Sequence, residues 1–441
     1  MDEQISDYKL LAYYKTIIPT TKENRELLIS QLHCCQSSIK LPMYGETGVY
    51  VLANKTESKL WGVQTCKNSW SCPVCSARNM SKYASDIACG LDAMYKWHNK
   101  TAFMMTFAIP HTARYTCAQT YEILQKTWLR FIHFGNKKHR KDPFSNFCEE
   151  TNCTERIRVT EFTWGENGWH PHYHCLFFVD ADKLQNVKQY QQSLHDKWLK
   201  IAHQMTRKVL LKNFKPRKLP PWDSVEHLIR WIDNFYGQAA NKSELESFAA
   251  AHISTNPDGS IMRALSSQYI CGWGADKELT GNIRKQASHK GHFTPHQLLQ
   301  KAYDAHKSAN ADEETKYANL YLEYARTVTK KRRISYSPTL RKIIDKWKET
   351  QEYIATFKKK SIEKLAQAGA WKTVFWFNAE QWRDIYFYSK KDDIINQILK
   401  LALLPDARQQ IIKLLSQYDI DVSNNSTGFF DKFIVQMFNV A

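Results

Sequence analysis

The stretch GWHPHYHC, residues 168–175, sets His170, His172 and His174 at alternate positions, with aromatic residues and Pro171 among them. In a β-strand, residues two apart share a face, so an H-x-H pair presents two imidazoles side by side. Proline belongs at strand starts and edges. The regular strand is therefore expected from His172 onward, with His172 and His174 as the pair. The preceding run RIRVTEFTW (156–164) alternates as a strand does, and Gly165-Glu166-Asn167-Gly168 has the composition of a tight turn. A hairpin centred on that turn pairs positions whose numbers sum to 333, which sets Glu161 opposite His172 and Val159 opposite His174. Directly opposed side chains lie about 5 Å apart at Cβ, so Glu161 joins the two imidazoles. Two histidines and one carboxylate on a sheet face can hold a divalent metal ion with positions left open. His170 competes with Glu161 for the third place, and a one-residue slip would carry Glu161 to the other face.

A second group is sulfur. Cys66, Cys72 and Cys75 follow a C-x5-C-x2-C spacing, and CPVC is one half of a tetrahedral zinc site. The fourth ligand must come from farther away, with His33, Cys34 or Cys35 upstream and Cys89 downstream as candidates. No strand precedes CPVC where a thioredoxin-type redox pair needs one. A structural Zn²⁺ is the expected occupant.

The elements that position these groups follow from the apolar patterns. TAFMMTFAIPH (101–111) reads as a buried strand ended by Pro110, and residues 113–134 carry Tyr121, Leu124, Trp128 and Phe131 at helical spacing. HYHCLFFVD (172–180) is a further strand, with Cys175 facing the core. A helix is expected over 183–206, a basic loop over 207–242, and mainly helix from 296 onward. The pattern over about 101–290 looks α/β; the fold class expected for the whole chain is α+β, in three parts: a Cys-rich segment over 1–95, a sheet domain flanked by helices over 96–295, and a helical DNA-binding or accessory region over 296–441.

Charge narrows the partner. The 441 residues hold 62 Lys and Arg against 44 Asp and Glu, a net charge of +18. Such an excess points to a polyanion, nucleic acid ahead of an anionic membrane. The basic residues cluster at Lys137, Lys138, Arg140 and Lys141; at Lys212, Lys215, Arg217 and Lys218; and at Lys330, Lys331, Arg332 and Arg333. Trp128, Trp222 and Tyr336 lie nearby in sequence, a combination that suits phosphates and bases. No run approaches the ~18 apolar residues of a membrane span. The polar N-terminus MDEQISDYKL is not a signal peptide. A cytoplasmic location follows, and the 11 cysteines, an odd count with uneven spacing, are expected to be reduced.

Several blocks, in order, resemble the HUH endonucleases, specifically the replication initiators of rolling-circle bacterial plasmids. They are SCPVCSARN, MMTFAIPH, NGWHPHYHCLFF, QYICGWGADKELTGN (268–282), GHFTPHQLL (291–299) and EYARTVTKKRRISYSPTLR (323–341), so the likeness spans about 60–341. The resemblance implies an HUH nuclease domain in which His172 and His174, with Glu161 as third ligand, hold Mg²⁺ or Mn²⁺. It implies that the Tyr269 hydroxyl attacks a phosphodiester of a single-stranded or cruciform DNA origin. The result is a 5′-phosphotyrosyl link and a free 3′-OH that primes synthesis, with the strand rejoined later. Many members carry a lysine three residues after this tyrosine, where this chain has Gly272. Some carry a glutamate four residues before it, where this chain has Leu265. A terminating water would then need another carboxylate, such as Glu278, or a second tyrosine. Tyr317, Tyr321 and Tyr324 stand at helical spacing, which favours packing. No GxxxxGK[ST] phosphate loop is present, so a host helicase is an expected partner along with a host polymerase.

Two other readings compete. Histidine-triad nucleotide hydrolases also carry His-x-His-x-His, but the proline inside the triad, the length and the charge weigh against them. A non-catalytic, zinc-containing DNA-binding protein would show the cysteines and the basic clusters alone.

Overall fold

The structure, a computed structural model, describes residues 6–18, 35–36, 48–133, 142–210, 251–265, 275–280, 291–350, 372–422 and 425. The strands among them are β1 (Val49–Ala53), β2 (Ser58–Trp61), β3 (Lys100–Ala108), β4 (Glu155–Gly165), β5 (Gly168–Asp180), β6 (Ala251–Ile253), β7 (Arg263–Ala264), β8 (Ile334–Tyr336) and β9 (Lys372–Phe377). The chain forms two compact units. One is Met80–Leu298 with Asn319–Trp347; the other is Met1–Asn79, Leu299–Ala318 and Lys348–Ala441. The α+β class, with antiparallel sheets, flanking helices and an N-terminal cysteine group, is as the sequence predicts.

The first unit is built on an antiparallel sheet of order β6-β3-β5-β4-β8, with β7 also paired to β3. Its centre is the hairpin β4–β5, in the predicted register: Glu161 pairs with His172 and Val159 with His174. Gly168 closes the turn at φ +84°, and an added Cβ would stand 2.8 Å from the backbone of Ala113. Only glycine meets both conditions without strain. The period-two pattern then divides the sheet. Phe103, Phe107, Tyr173 and Phe177 point to one face, under helices Cys117–Ile132, Pro143–Glu150 and Gln191–Leu210. Phe107 meets Trp128 at 5.4 Å and Trp198 at 4.8 Å between ring centroids, and Phe147 meets Phe177 edge-on at 5.9 Å. Rings that bury this much area in edge-on pairs supply most of a core's cohesion. Trp198 also donates its indole N–H to the carbonyl of Ala108, at 2.6 Å, and fixes the end of β3. On the opposite face Ile157 packs beside Gly90 of helix Pro73–His98 and Ile344 of helix Pro338–Lys348.

The block at 323–341 completes this unit. Glu323 accepts hydrogen bonds from the indole of Trp169 (3.0 Å) and from the backbone N–H of Cys117 (2.7 Å), at the start of a helix. Tyr324 stacks on Trp169. Glu155 accepts from the backbone N–H of Leu340 at 3.0 Å and from the Ser337 hydroxyl, and Arg341 pairs with buried Asp86 at 2.8 Å. The tyrosines Tyr317, Tyr321 and Tyr324 are all buried, which agrees with packing.

In the other unit β1 is the middle strand of the order β2-β1-β9. Val49, Val51, Phe375 and Phe377 form a core with Trp382, Ile385, Ile395, Ile398, Ile411 and Leu415 of the C-terminal helices.

Three sequence expectations change. First, β5 starts at Gly168 and runs through Pro171, which pairs with Phe162. Antiparallel partners alternate between pairs that exchange hydrogen bonds and pairs that do not. Pro171 occupies a pair that does not, and β3 has already ended at Ala108, opposite His172, so no ladder bond needs its missing N–H. Second, the segment after β5 opens as a 3-10 helix, Ala181–Tyr190, before helix Gln191–Leu210. Its buried Leu184, Val187 and Tyr190 recur every three residues, the period of that helix. Third, the largely helical region after residue 296 also contributes the strands β8 and β9.

Candidate metal centre

The three histidines of β5 share one partly exposed sheet face, while Pro171 and Tyr173 between them, and Trp169 and Cys175 on either side, are buried on the other. Tyr173 packs edge-on to Trp128 at 5.6 Å and lies under the guanidinium of Arg158 at 4.4 Å. The residue between His172 and His174 thus anchors the strand, so that both imidazoles stand at fixed height. Cys175 is core, as expected.

Across the hairpin, Glu161 is buried, and its Oε2 lies 3.2 Å from His172 Nε2 and 3.1 Å from His174 Nε2. The outer ring nitrogens have their own partners. His172 Nδ1 donates to the carbonyl of His170 at 3.3 Å, and His174 Nδ1 lies 2.9 Å from the Thr106 hydroxyl on β3. A neutral His172 that donates from Nδ1 aims a lone pair from Nε2 at the Glu161 carboxylate. Two electron-rich atoms at that distance need a cation or a proton between them. Metal–ligand bonds of about 2.1 Å place neighbouring ligands about 3.0–3.4 Å apart, so the donor set fits a single divalent ion. Burial pushes the Glu161 pKa up, but the His174 and His172 imidazoles outweigh it and hold the carboxyl well below the usual range. Glu161 therefore stays ionised, as a ligand must.

The pair sits in a wider row of rings. His170 lies 5.2 Å from His172 and 4.9 Å from His111, between ring centroids, and the His292 ring packs against Gly165. Burial pulls the His111 pKa down to about 4 and that of His170 well below the ordinary value, so both are neutral at pH 7. His170 faces His111 and His172; Glu161 is the group that meets both Nε2 atoms. Thr106, His111 and His292 were given no role from sequence. The signal for Thr106 was the register of β3, where it pairs with His174.

Cys66, Cys72 and Cys75 come together, with Cys35 as the fourth sulfur, and all four Sγ atoms lie within 4.8 Å of one another. His33 and Cys34 are outside the described residues. So are Tyr269 and Gly272, and the clusters Lys137, Lys138, Arg140, Lys141 and Lys212, Lys215, Arg217, Lys218. Of the third cluster Lys330, Lys331 and Arg332 are exposed, but Arg333 is buried at 6% exposure. The expectation of an exposed phosphate contact does not hold for Arg333. Its backbone carbonyl accepts from Thr160 N at 2.9 Å beside β4. Burial lowers its pKa, opposed by Tyr324 and by the Glu161 carboxylate. No described helix is long and apolar enough to cross a membrane.

The chain is thus an α+β protein whose antiparallel sheet brings two histidines and a carboxylate together on one face, a group able to hold a metal ion. Residues 57–217 of it match the model of a family described as replication protein. "Protein rep" of Streptomyces lividans is 29% identical over 144 residues, 28% of this chain and 31% of that protein. "Neomycin resistance protein" of Streptomyces cyanogenus is 28% identical over 138 residues, 27% of this chain and 31% of that protein. The chain thus spans about a third of the length of the curated relatives it matches. No solved structure matches. The stretch matched by the replication-protein model takes in the β4–β5 hairpin and its histidine strand.

Proposed function

We propose that this protein initiates rolling-circle replication by nicking one DNA strand at an origin. The observation that carries the reading is the convergence of His172 Nε2 and His174 Nε2 on Glu161 Oε2. A bound Mg²⁺ or Mn²⁺ would polarise the scissile phosphate and offset charge on its oxygens. Tyr269 is the proposed nucleophile: its oxygen bonds to phosphorus, the bond from phosphorus to the 3′ oxygen breaks, and that oxygen takes up a proton. The phosphotyrosyl link stores the bond for later rejoining. Glu161 keeps the ligand set anionic, and Thr106 and the His170 carbonyl fix the two imidazoles. The exposed Lys330, Lys331 and Arg332 are proposed to meet DNA phosphates, together with the clusters at 137–141 and 212–218. The net charge of +18 and the family match support DNA as the partner, in the cytoplasm, with a host helicase and polymerase.

The test separates cleavage from binding. His174→Ala should lower Mn²⁺-dependent nicking of single-stranded replicon DNA more than ~100-fold. DNA affinity at fixed salt should stay within about threefold, because it is spread over many phosphate contacts. Parallel loss of both would remove the metal role. Binding without cleavage by the unaltered chain would favour a non-catalytic DNA-binding protein.

A further inference from the structure

The sulfur group lies in the other unit and has no part in the proposed nicking. Cys35 Sγ lies 3.7 Å from Cys72 Sγ and 3.5 Å from Cys75 Sγ. None of the four cysteines is in a disulfide; three are buried and Cys66 is half-buried. Zinc–sulfur bonds of about 2.3 Å at tetrahedral angles put the sulfurs about 3.8 Å apart. The observed separations match one ion at the centre. An iron–sulfur cluster, with its larger core, would spread its cysteines wider. We propose that Cys35, Cys66, Cys72 and Cys75 form a closed, structural zinc site, with Cys35 as the fourth ligand.

The surroundings are built for such a site. Cys72 stands just before the 26-residue helix Pro73–His98 and Cys75 lies in its first turn, where the helix dipole favours thiolate. Cys75 N donates to Cys72 Sγ at 3.5 Å, the backbone-to-sulfur contact of a knuckle. Asn68 Oδ1 accepts from Trp70 N (2.8 Å) and Ser71 N (3.0 Å) and shapes the loop that leads into it. Four thiolates and one Zn²⁺ carry two net negative charges, and the Lys15 ammonium is close, 2.6 Å from the carbonyl of Cys35.

The turn that carries Cys35 is also tied to its neighbours. Gln36 N donates to the Gln64 carbonyl at 2.8 Å, and Trp382 Nε1 donates to the Gln36 carbonyl at 3.0 Å. Lys15 also reaches the Tyr386 hydroxyl at 2.7 Å. The ion would therefore join the turn at 35–36, the loop that begins at 64 and the helix start at 73. Those hydrogen bonds pass the restraint on to helices Asp7–Ile17 and Ala379–Asp392. All four ligand positions are filled by protein, so the site has no room for a substrate and its role is to hold this unit together.

The test uses the full chain. Zinc content should be one tightly held ion per chain, and X-ray absorption should show a shell of four sulfurs. Cobalt substitution should give the intense thiolate charge-transfer and visible bands of a tetrahedral sulfur site. Cys35→Ser should lose most of that sulfur-to-cobalt intensity and bind zinc at least ~10-fold more weakly, while Cys148→Ser, outside the group, should change neither. If Cys35→Ser does not fold, the unaltered chain still decides. A shell of three sulfurs, iron in place of zinc, or four thiols that react at once with a thiol reagent in native protein would overturn the proposal.

Discussion

His172 donates one ring proton to the carbonyl of His170, and this leaves its other nitrogen to face Glu161. The equivalent support for His174 is the hydroxyl of Thr106, at 2.9 Å. Thr106→Val keeps the shape and removes the oxygen. Mn²⁺ affinity, measured by calorimetry, should fall about 10–100-fold, with DNA affinity unchanged; unchanged Mn²⁺ affinity would remove Thr106 from the site. His111 makes a second prediction. It is buried, with its pKa pulled down to about 4, against ~6.5 in an unfolded chain. The unfolded state therefore binds more protons between those values, and stability falls as pH drops through that window, by roughly 2 kcal/mol from pH 7 to pH 5. In metal-stripped protein, His111→Asn should flatten that part of the denaturant-midpoint profile; an unaltered slope would assign the dependence to other groups. At this scale the sequence carried much of the centre. Glu161, His172 and His174 are tied by a short hairpin whose register follows from counting. Cys35 was one of four candidates for the sulfur site, because 30 residues separate it from Cys66 and only tertiary structure brings them together. Arg333 ends a run of four basic residues that reads as exposed, and its burial depends on what packs over it.

At the scale of elements, strands whose alternation is regular were readable, and β3, β4 and β5 lie close to where the pattern puts them. The 3-10 helix was not, since three-residue spacing in a short apolar series looks like a helix of the ordinary period. Nor was β9: the six residues KTVFWF sit among helical patterns, and their strand character depends on β1, more than 300 residues away in sequence. The hairpin turn is the element on which the metal centre rests most directly. Gly168→Ala meets a left-handed φ and a Cβ position 2.8 Å from Ala113. It should cost about 1–3 kcal/mol, read as a lower midpoint of thermal unfolding, and should weaken Mn²⁺ binding by shifting β5 against β4. A variant with unchanged midpoint and metal affinity would show that the turn does not set the register.

At the scale of the molecule, the N-terminal and C-terminal segments share one core. β1 is buried along its whole length between β2 and β9, and Trp382, Ile395 and Ile411 cover the same cluster. Residues 375–422 of the C-terminal region thus contribute to the same core as β1. Removal of residues 351–441 should expose Val49 and Val51 and open residues 48–79 to trypsin, while a protease-resistant 48–79 in the shortened chain would contradict that assignment. One measurement bears most directly on the proposed nicking chemistry. The full chain is incubated with single-stranded DNA of its own replicon and Mn²⁺, and covalent protein–DNA adducts are digested and mapped by mass spectrometry. The expected result is a nucleotide phosphate on Tyr269, absent without metal and absent from His172→Ala and Glu161→Gln. An adduct that forms equally well in those variants, or none on any strand of the replicon while DNA binding is intact, would contradict it.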